Sequence, residues 1–284
     1  MLITIKNSAL EATIDTRGAQ LVNLKKDETE YIWQRDAKYW SSCCPVLFPM
    51  VSSVQDNYYT HNGKTYPFAQ HGFARDCEFD VVEQSESAVV MRLVQNHLTK
   101  LVYPFKFDFC VTFTLNGSKL EMWYTVKNTS ETDEMYFNTG AHEGYKLLDG
   151  TSIDEHYIEF EKVEKLEQKI LTEPLWRGET NDFGESDILE LKDEYFAIDG
   201  IFFTDIKSNY VTLKSKSSDR AVRVYFDCDK LGFWKVPEAG YLCIEPWDGF
   251  CAYEGDSHEL KEKRFIKTLA PNSEYKFYHA IEIM

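Results

Sequence analysis

The chain has 284 residues and carries 31 basic against 47 acidic side chains, a net charge of −16. A surface this acidic repels phosphate backbones and anionic lipid headgroups, so neither nucleic acid nor a membrane is an expected partner. The length suffices to bury a core without metals or disulfides, and no apolar run approaches the roughly 18 residues of a membrane span.

Strand chemistry starts at the N-terminus. Leu2-Ile3-Thr4-Ile5 and Leu10-Glu11-Ala12-Thr13-Ile14 are short and rich in β-branched residues, and Gly18 closes the second run. The opening twenty residues lack a basic region followed by an apolar run and a cleavage site, so no signal peptide is expected. Phe105 to Leu115 alternates apolar and polar with period two. Asn116-Gly117 follows it, a strong hairpin signal, and Leu120 to Val126 reads as the return strand. Tyr157 to Phe160, Val211 to Leu213, Val222 to Phe226 and Tyr275 to Ile283 have the same character. Glu159 to Gln168 is acidic with interspersed lysines and reads as a solvated loop or strand edge. Only Ser186 to Asp193 shows a helical period, and a weak one.

Aromatic residues make up 15% of the chain, which favours strands and suits a cleft that stacks rings on a ligand. No linker, repeat or composition shift divides the sequence. The expectation is an all-β chain, one domain over residues 1–284 built as a large antiparallel β-sandwich. Seven cysteines, an odd number without a CxxC pair, read as reduced thiols in a reducing compartment. A cytoplasmic location is therefore expected.

Three short motifs carry possible chemistry. His71 stands in Gln70-His71-Gly72-Phe73-Ala74-Arg75, where Gly72 permits a sharp turn beside the imidazole. His142 stands in Gly140-Ala141-His142-Glu143-Gly144, where small neighbours leave room for a ligand. Glu245 stands in Ile244-Glu245-Pro246-Trp247, at the end of an apolar strand whose walls could raise its pKa. Trp247 offers a flat face of the kind sugars stack on. Each residue also has a bland reading: a loop histidine, a satisfied structural histidine and an edge glutamate facing water. Two imidazoles and a carboxylate form an acid–base set able to take a proton from one oxygen and give one to another. No HxH or HxxxH spacing suggests a metal, and no glycine-rich phosphate loop suggests a nucleotide. Neither a metal nor a cofactor is expected.

Taken together, Pro45-Val46-Leu47-Phe48-Pro49, His71-Gly72-Phe73-Ala74-Arg75, Gly140-Ala141-His142 and Glu245-Pro246-Trp247 resemble the aldose 1-epimerase (galactose mutarotase-like) family. The four pieces stand in the family's order along nearly the whole chain, closest to a bacterial branch of poorly assigned substrate. The resemblance implies a large antiparallel β supersandwich and an isomerase that interconverts the α and β anomers of a free aldose. It implies Glu245 as general base on the C1 hydroxyl, His142 as general acid on the ring oxygen and His71 as a hydrogen-bonding partner nearby. Asp199, in Phe196-Ala197-Ile198-Asp199-Gly200, would accept sugar hydroxyls, and Arg75 would bind a hydroxyl or brace its own loop.

Two departures accompany the resemblance. Ser53 stands where many relatives carry a substrate-binding arginine, and Glu143 replaces a proline after the second histidine. If Glu143 points inward, it should raise the pKa of His142. A non-catalytic sugar-binding module is the alternative reading. A hexose-6-phosphate 1-epimerase is another, and it would need a cluster of arginines or lysines at the cleft. The motif loops are poor in such residues. Which sugar is used and how many copies assemble are not written in these motifs.

Overall fold

The alternating segments become strands. In the computed structural model, which describes residues 1–148, 150–172 and 175–284, Phe107–Asn116 buries every second side chain. It pairs antiparallel with Lys119–Asn128 across the Asn116-Gly117 turn, Asn116 opposite Lys119. Gly117 takes the left-handed conformation this tight connection requires.

These two strands belong to a 13-stranded sheet. From one edge it runs through Glu143–Lys146, Tyr241–Trp247, Lys230–Trp234, Ile201–Phe203 and His156–Thr172. It continues through Tyr210–Ser215, Ala221–Phe226 and Glu274–Ile283 to Lys119–Asn128 and Phe107–Asn116, then Ala88–Val94 and Asp80–Gln84. Leu175–Glu190 pairs onto His156–Thr172 as a long ribbon. A separate four-stranded sheet is made by Leu2–Lys6, Glu11–Asp15, Gln20–Lys26 and Thr29–Glu30. The registered neighbours in these sheets are antiparallel, and the fold is the large antiparallel all-β sandwich expected.

Aromatic side chains fill the core beneath the sheet. Phe48 stacks on Phe109 with centroids 4.5 Å apart. Phe107, Tyr103 and Phe73 close around it. Offset and edge-on ring contacts add to the area these side chains remove from water. All seven cysteines are unpaired.

One local expectation fails, and a second is narrowed from a loop or strand edge to strand. Ser186 to Glu190 is strand, and only one 3-10 turn, Asp193–Phe196, follows. Cross-strand pairs Ile158–Leu189 and Tyr157–Glu190 override the weak helical period. Glu159 to Gln168 lies inside the strand His156–Thr172 and is not a loop. Its Glu164 is 2% exposed. Glu164 accepts hydrogen bonds from the Lys207 and Ser208 amides and the Ser208 hydroxyl, which compensates the buried carboxylate.

Candidate active site

Strand alternation builds the centre of the site. Cys243, Glu245 and Trp247 are two residues apart along Tyr241–Trp247 and so share one face. Glu245 lies opposite Gly232 of one neighbouring strand. A side chain at Gly232 would crowd the Phe202 ring and approach Glu245, so the glycine opens this spot. On the other side, the Ala141 amide donates to the Pro246 carbonyl, and Glu143 pairs with Ile244. His142 is thereby held beside Glu245, Nε2 to Oε2 at 3.4 Å. The edge-strand reading of Glu245 fails: the strand lies between two others and Glu245 is 1% exposed.

His71 reaches the same place from a loop. Ser52, His71 and Gly72 all have left-handed backbones. A β-carbon at Gly72 would lie 2.2 Å from the Phe48 carbonyl oxygen, so only glycine fits. The Ser52 amide donates to His71 Nδ1 at 3.1 Å, and the His71 amide donates to the Ser52 carbonyl at 2.7 Å. With Nδ1 accepting, the neutral ring carries its proton on Nε2 and is a donor there. The His71 ring meets His142 edge-on, centroids 5.4 Å apart.

The three groups border a cavity of about 320 Å³, which Gln70, Arg75, Asp199 and Trp234 also line. Every residue expected at the site is therefore on one cavity: Glu245, His142, His71, Asp199, Arg75 and Trp247. The sequence reading missed Trp40, which stacks on His142 at 5.2 Å, and Trp234, which meets that ring edge-on. An indole has no sequence pattern that separates cleft from core; only the aromatic load hinted at such walls.

Burial sets the electrostatics. It pushes His142 down to about 3, helped by the Arg75 guanidinium. It holds His71 well below the ordinary histidine value, with His142 and Arg75 adding to the effect. It drives Glu245 well above the carboxylate range, and repulsion from Asp199 and Glu143 adds to it. Asp199 is raised by burial as well, against a hydrogen bond from the Gly200 backbone. At neutral pH both imidazoles are uncharged, and the His142–Glu245 pair retains its proton most readily on the glutamate.

Three expectations are corrected here. Glu143 does not raise the pKa of His142. It points to the opposite face and lies 3.0 Å from His279 Nε2 in a fully buried pair. Ser53 does not face the cavity. It is 3% exposed with its carbonyl bonded to the Ala252 amide, and its neighbour Ser52 lines the site instead. Trp247 does not offer an open stacking face. Phe202 stacks on it at 5.2 Å and Gly140 packs against its ring, so what remains is an indole N–H with no well-formed hydrogen bond inside the protein.

His142, Cys243 and Glu245 each place one ligand-type atom within 4.8 Å of the others. Separation along the chain hid this set from spacing rules. Burial pushes the Cys243 thiol well above its usual range, and Glu245 and Glu143 add to that. This opposes the thiolate that a metal would need.

A family model described as Aldose 1-epimerase matches residues 1–282. The LacX protein of Lactococcus lactis is 28% identical over the full length of both chains. A galactose mutarotase-like protein from Lactobacillus casei superimposes with a TM-score of 0.94 at 29% identity, all of each chain covered. A galactose mutarotase related enzyme from Lactobacillus acidophilus gives 0.92 at 28%, covering all of this chain and 97% of that one. No helix among the described residues is long and apolar enough to cross a membrane.

Proposed function

This chain belongs to the aldose 1-epimerase family, a family of isomerases, and from that premise we propose that it interconverts the α and β anomers of an aldose. The observation that carries the reading is the buried His142–Glu245 pair, 3.4 Å apart on the wall of a sugar-sized cavity. Glu245 takes the proton of the C1 hydroxyl and His142 gives one to the ring oxygen. The C1–O5 bond breaks as the C1 carbonyl forms. Rotation about C1–C2 turns the other face of the aldehyde to O5, and the same two transfers in reverse close the ring.

The ligand-free pair favours its proton on the carboxyl. Sugar binding must therefore shift that proton to the imidazole. Substrate hydroxyls favour the shift by donating to the carboxylate, adding to the Trp247 indole, which already opposes the rise of Glu245 in the ligand-free site. His71 donates from Nε2 to the ring oxygen or an adjacent hydroxyl, and Asp199 accepts hydroxyl hydrogens, fixing the ring between them. A module that merely binds sugar has no use for a proton-sharing pair, so catalysis separates the two readings. Polarimetry of freshly dissolved α-glucose and α-galactose at high protein concentration, with and without EDTA, tests the proposal. Acceleration that EDTA leaves intact is expected. No acceleration over buffer with either sugar would sink it.

A further inference from the structure

His71 and His142 are held in different ways. The Ser52 amide fixes Nδ1 of His71 at 3.1 Å. Nδ1 of His142 has no well-formed hydrogen bond inside the protein. Among the described residues Glu245, at 3.4 Å, is the only carboxylate paired with the His142 ring. The other neighbours of this ring are aromatic. Trp40 stacks on it with centroids 5.2 Å apart and planes at 29°. Trp234 and His71 meet it edge-on.

The chain builds the Trp40 stack with care for space. The Trp40 amide donates to the Asp36 carbonyl at 2.9 Å, closing a turn, and its carbonyl accepts from the Trp33 indole at 2.8 Å. Tyr241 stacks on Trp40 at 5.4 Å. The indole fits because residue 144 is glycine: a β-carbon there would lie 2.9 Å from the Trp40 ring. The room that this glycine leaves near His142 is thus taken by an indole.

Such a stack favours one state of the imidazole over the other. The neutral ring gains from packing alone. An imidazolium within about 6 Å of an indole centroid is also drawn to the negative ring face, most strongly where water is excluded. Anomer exchange needs that imidazolium, because the proton must reach His142 before it can pass to the ring oxygen. Burial and the Arg75 guanidinium oppose it. His71 is uncharged, and the Cys243 thiol, within 4.8 Å, keeps its proton, so neither offers a negative charge. Asp199 borders the cavity without pairing to His142. Glu245 and the face of Trp40 are what favour the charged ring.

We propose that Trp40 is a positioning residue of the exchange reaction: its indole face holds the His142 ring beside Glu245 and stabilises the imidazolium that protonates the sugar ring oxygen. This inference rests on the anomer-exchange reading and adds to it the group that makes the acid. Trp40 itself exchanges neither proton nor electrons. The proton still passes from the Glu245 carboxyl to the imidazole and on to the ring oxygen.

The test replaces Trp40 with tryptophans carrying successively more ring fluorines, introduced at a stop codon at position 40. Fluorine drains the negative ring face while nearly preserving shape and burial, so a role in packing alone is not moved. Polarimetry of glucose and galactose should show log kcat falling in step with the fluorine count, by about tenfold across the series, with KM within about twofold. NMR of the sugar-saturated protein should show the His142 imidazole shifting toward its neutral form along the series. Trp40→Phe should lose less kcat than Trp40→Leu; if the leucine variant does not fold, the fluorinated series decides. The same series at Trp123, 39% exposed and packed on Tyr278, should leave both constants unchanged. A kcat that ignores fluorination in an active enzyme would overturn this inference alone. So would a KM that rises while kcat holds, since the ring would then act on the sugar and not on His142. A wild type that exchanges neither sugar would overturn the anomer reading and this one with it.

Discussion

Glu245 and His142 do opposite things to their protons for one reason, the loss of water around both. Desolvation penalises the charged form of each, so the carboxyl rises and the imidazole falls to about 3. The pair works while it holds one proton. Unperturbed groups would confine that state to roughly pH 4.3 to 6.5; the shifts widen it at both ends. The kcat/KM profile should thus stay level through pH 6.5 and fall on the acid side only toward the low value of His142. An acid limb near the ordinary histidine pKa would contradict this. Glu245→Gln and His142→Asn should each lower kcat by on the order of 10²-fold or more, since each removes a proton-transfer partner. Activity retained in both would place the chemistry elsewhere. Stability should move the other way for Glu245→Gln. A raised folded pKa means that the folded state holds more protons than the unfolded chain above about pH 4.5, so ionisation costs stability as pH rises. The glutamine variant lacks this penalty. Its urea midpoint relative to the wild type should be higher at pH 8 than at pH 5.

At the scale of the element, the site depends on backbones that only particular residues permit. The turn carrying His71 fits because Gly72 has no side chain against the Phe48 carbonyl. Gly72→Ala should lower stability by about 1–3 kcal/mol or more, because the left-handed backbone and the clash act together. It should also reduce activity by displacing His71. A thermal melt and a polarimetric assay on one preparation check both. The serine pair next to this turn divides its labour. Ser52 faces the cavity and anchors His71, while Ser53 is buried behind it. Ser53→Arg would force an unpaired guanidinium into the packed interior. A lowered denaturation midpoint with no improvement in KM is expected, whereas a lower KM with an intact fold would show that position 53 faces the sugar.

Across the whole molecule, burial of neutral imidazoles couples the site to global stability. His71, His142 and His156 are all depressed, first by desolvation. The unfolded chain binds protons at these positions below about pH 6.5 while the folded chain resists them, so stability falls as pH drops through that window. Urea midpoints measured from pH 7 down to pH 4 should decline, and less steeply in His142→Asn. An unchanged slope in that variant would show that His142 is not buried in its neutral form.

Much was legible in the chain alone, where the physics is local. Period-two alternation and an Asn-Gly turn specify the hairpin of Phe107–Asn116 and Lys119–Asn128, because burial on one face needs nothing beyond neighbouring residues. Glycines beside His71 and His142, and an apolar strand running into Glu245, marked positions where a side chain could meet a ligand. The family resemblance then put these with Asp199, Arg75 and Trp247. Other features depend on which distant segments touch. Glu143 turned out to serve His279, 136 residues away. Trp247 became a walled-in N–H donor because Phe202 and Gly140 take its faces. The ribbon at Ser186 to Glu190 chose strand over helix because a partner strand was there to pair with. The convergence of Arg17, Arg35 and Arg75 on one cavity has the same origin: charge is a property of each residue, but the distances between charges are set only by the folded chain.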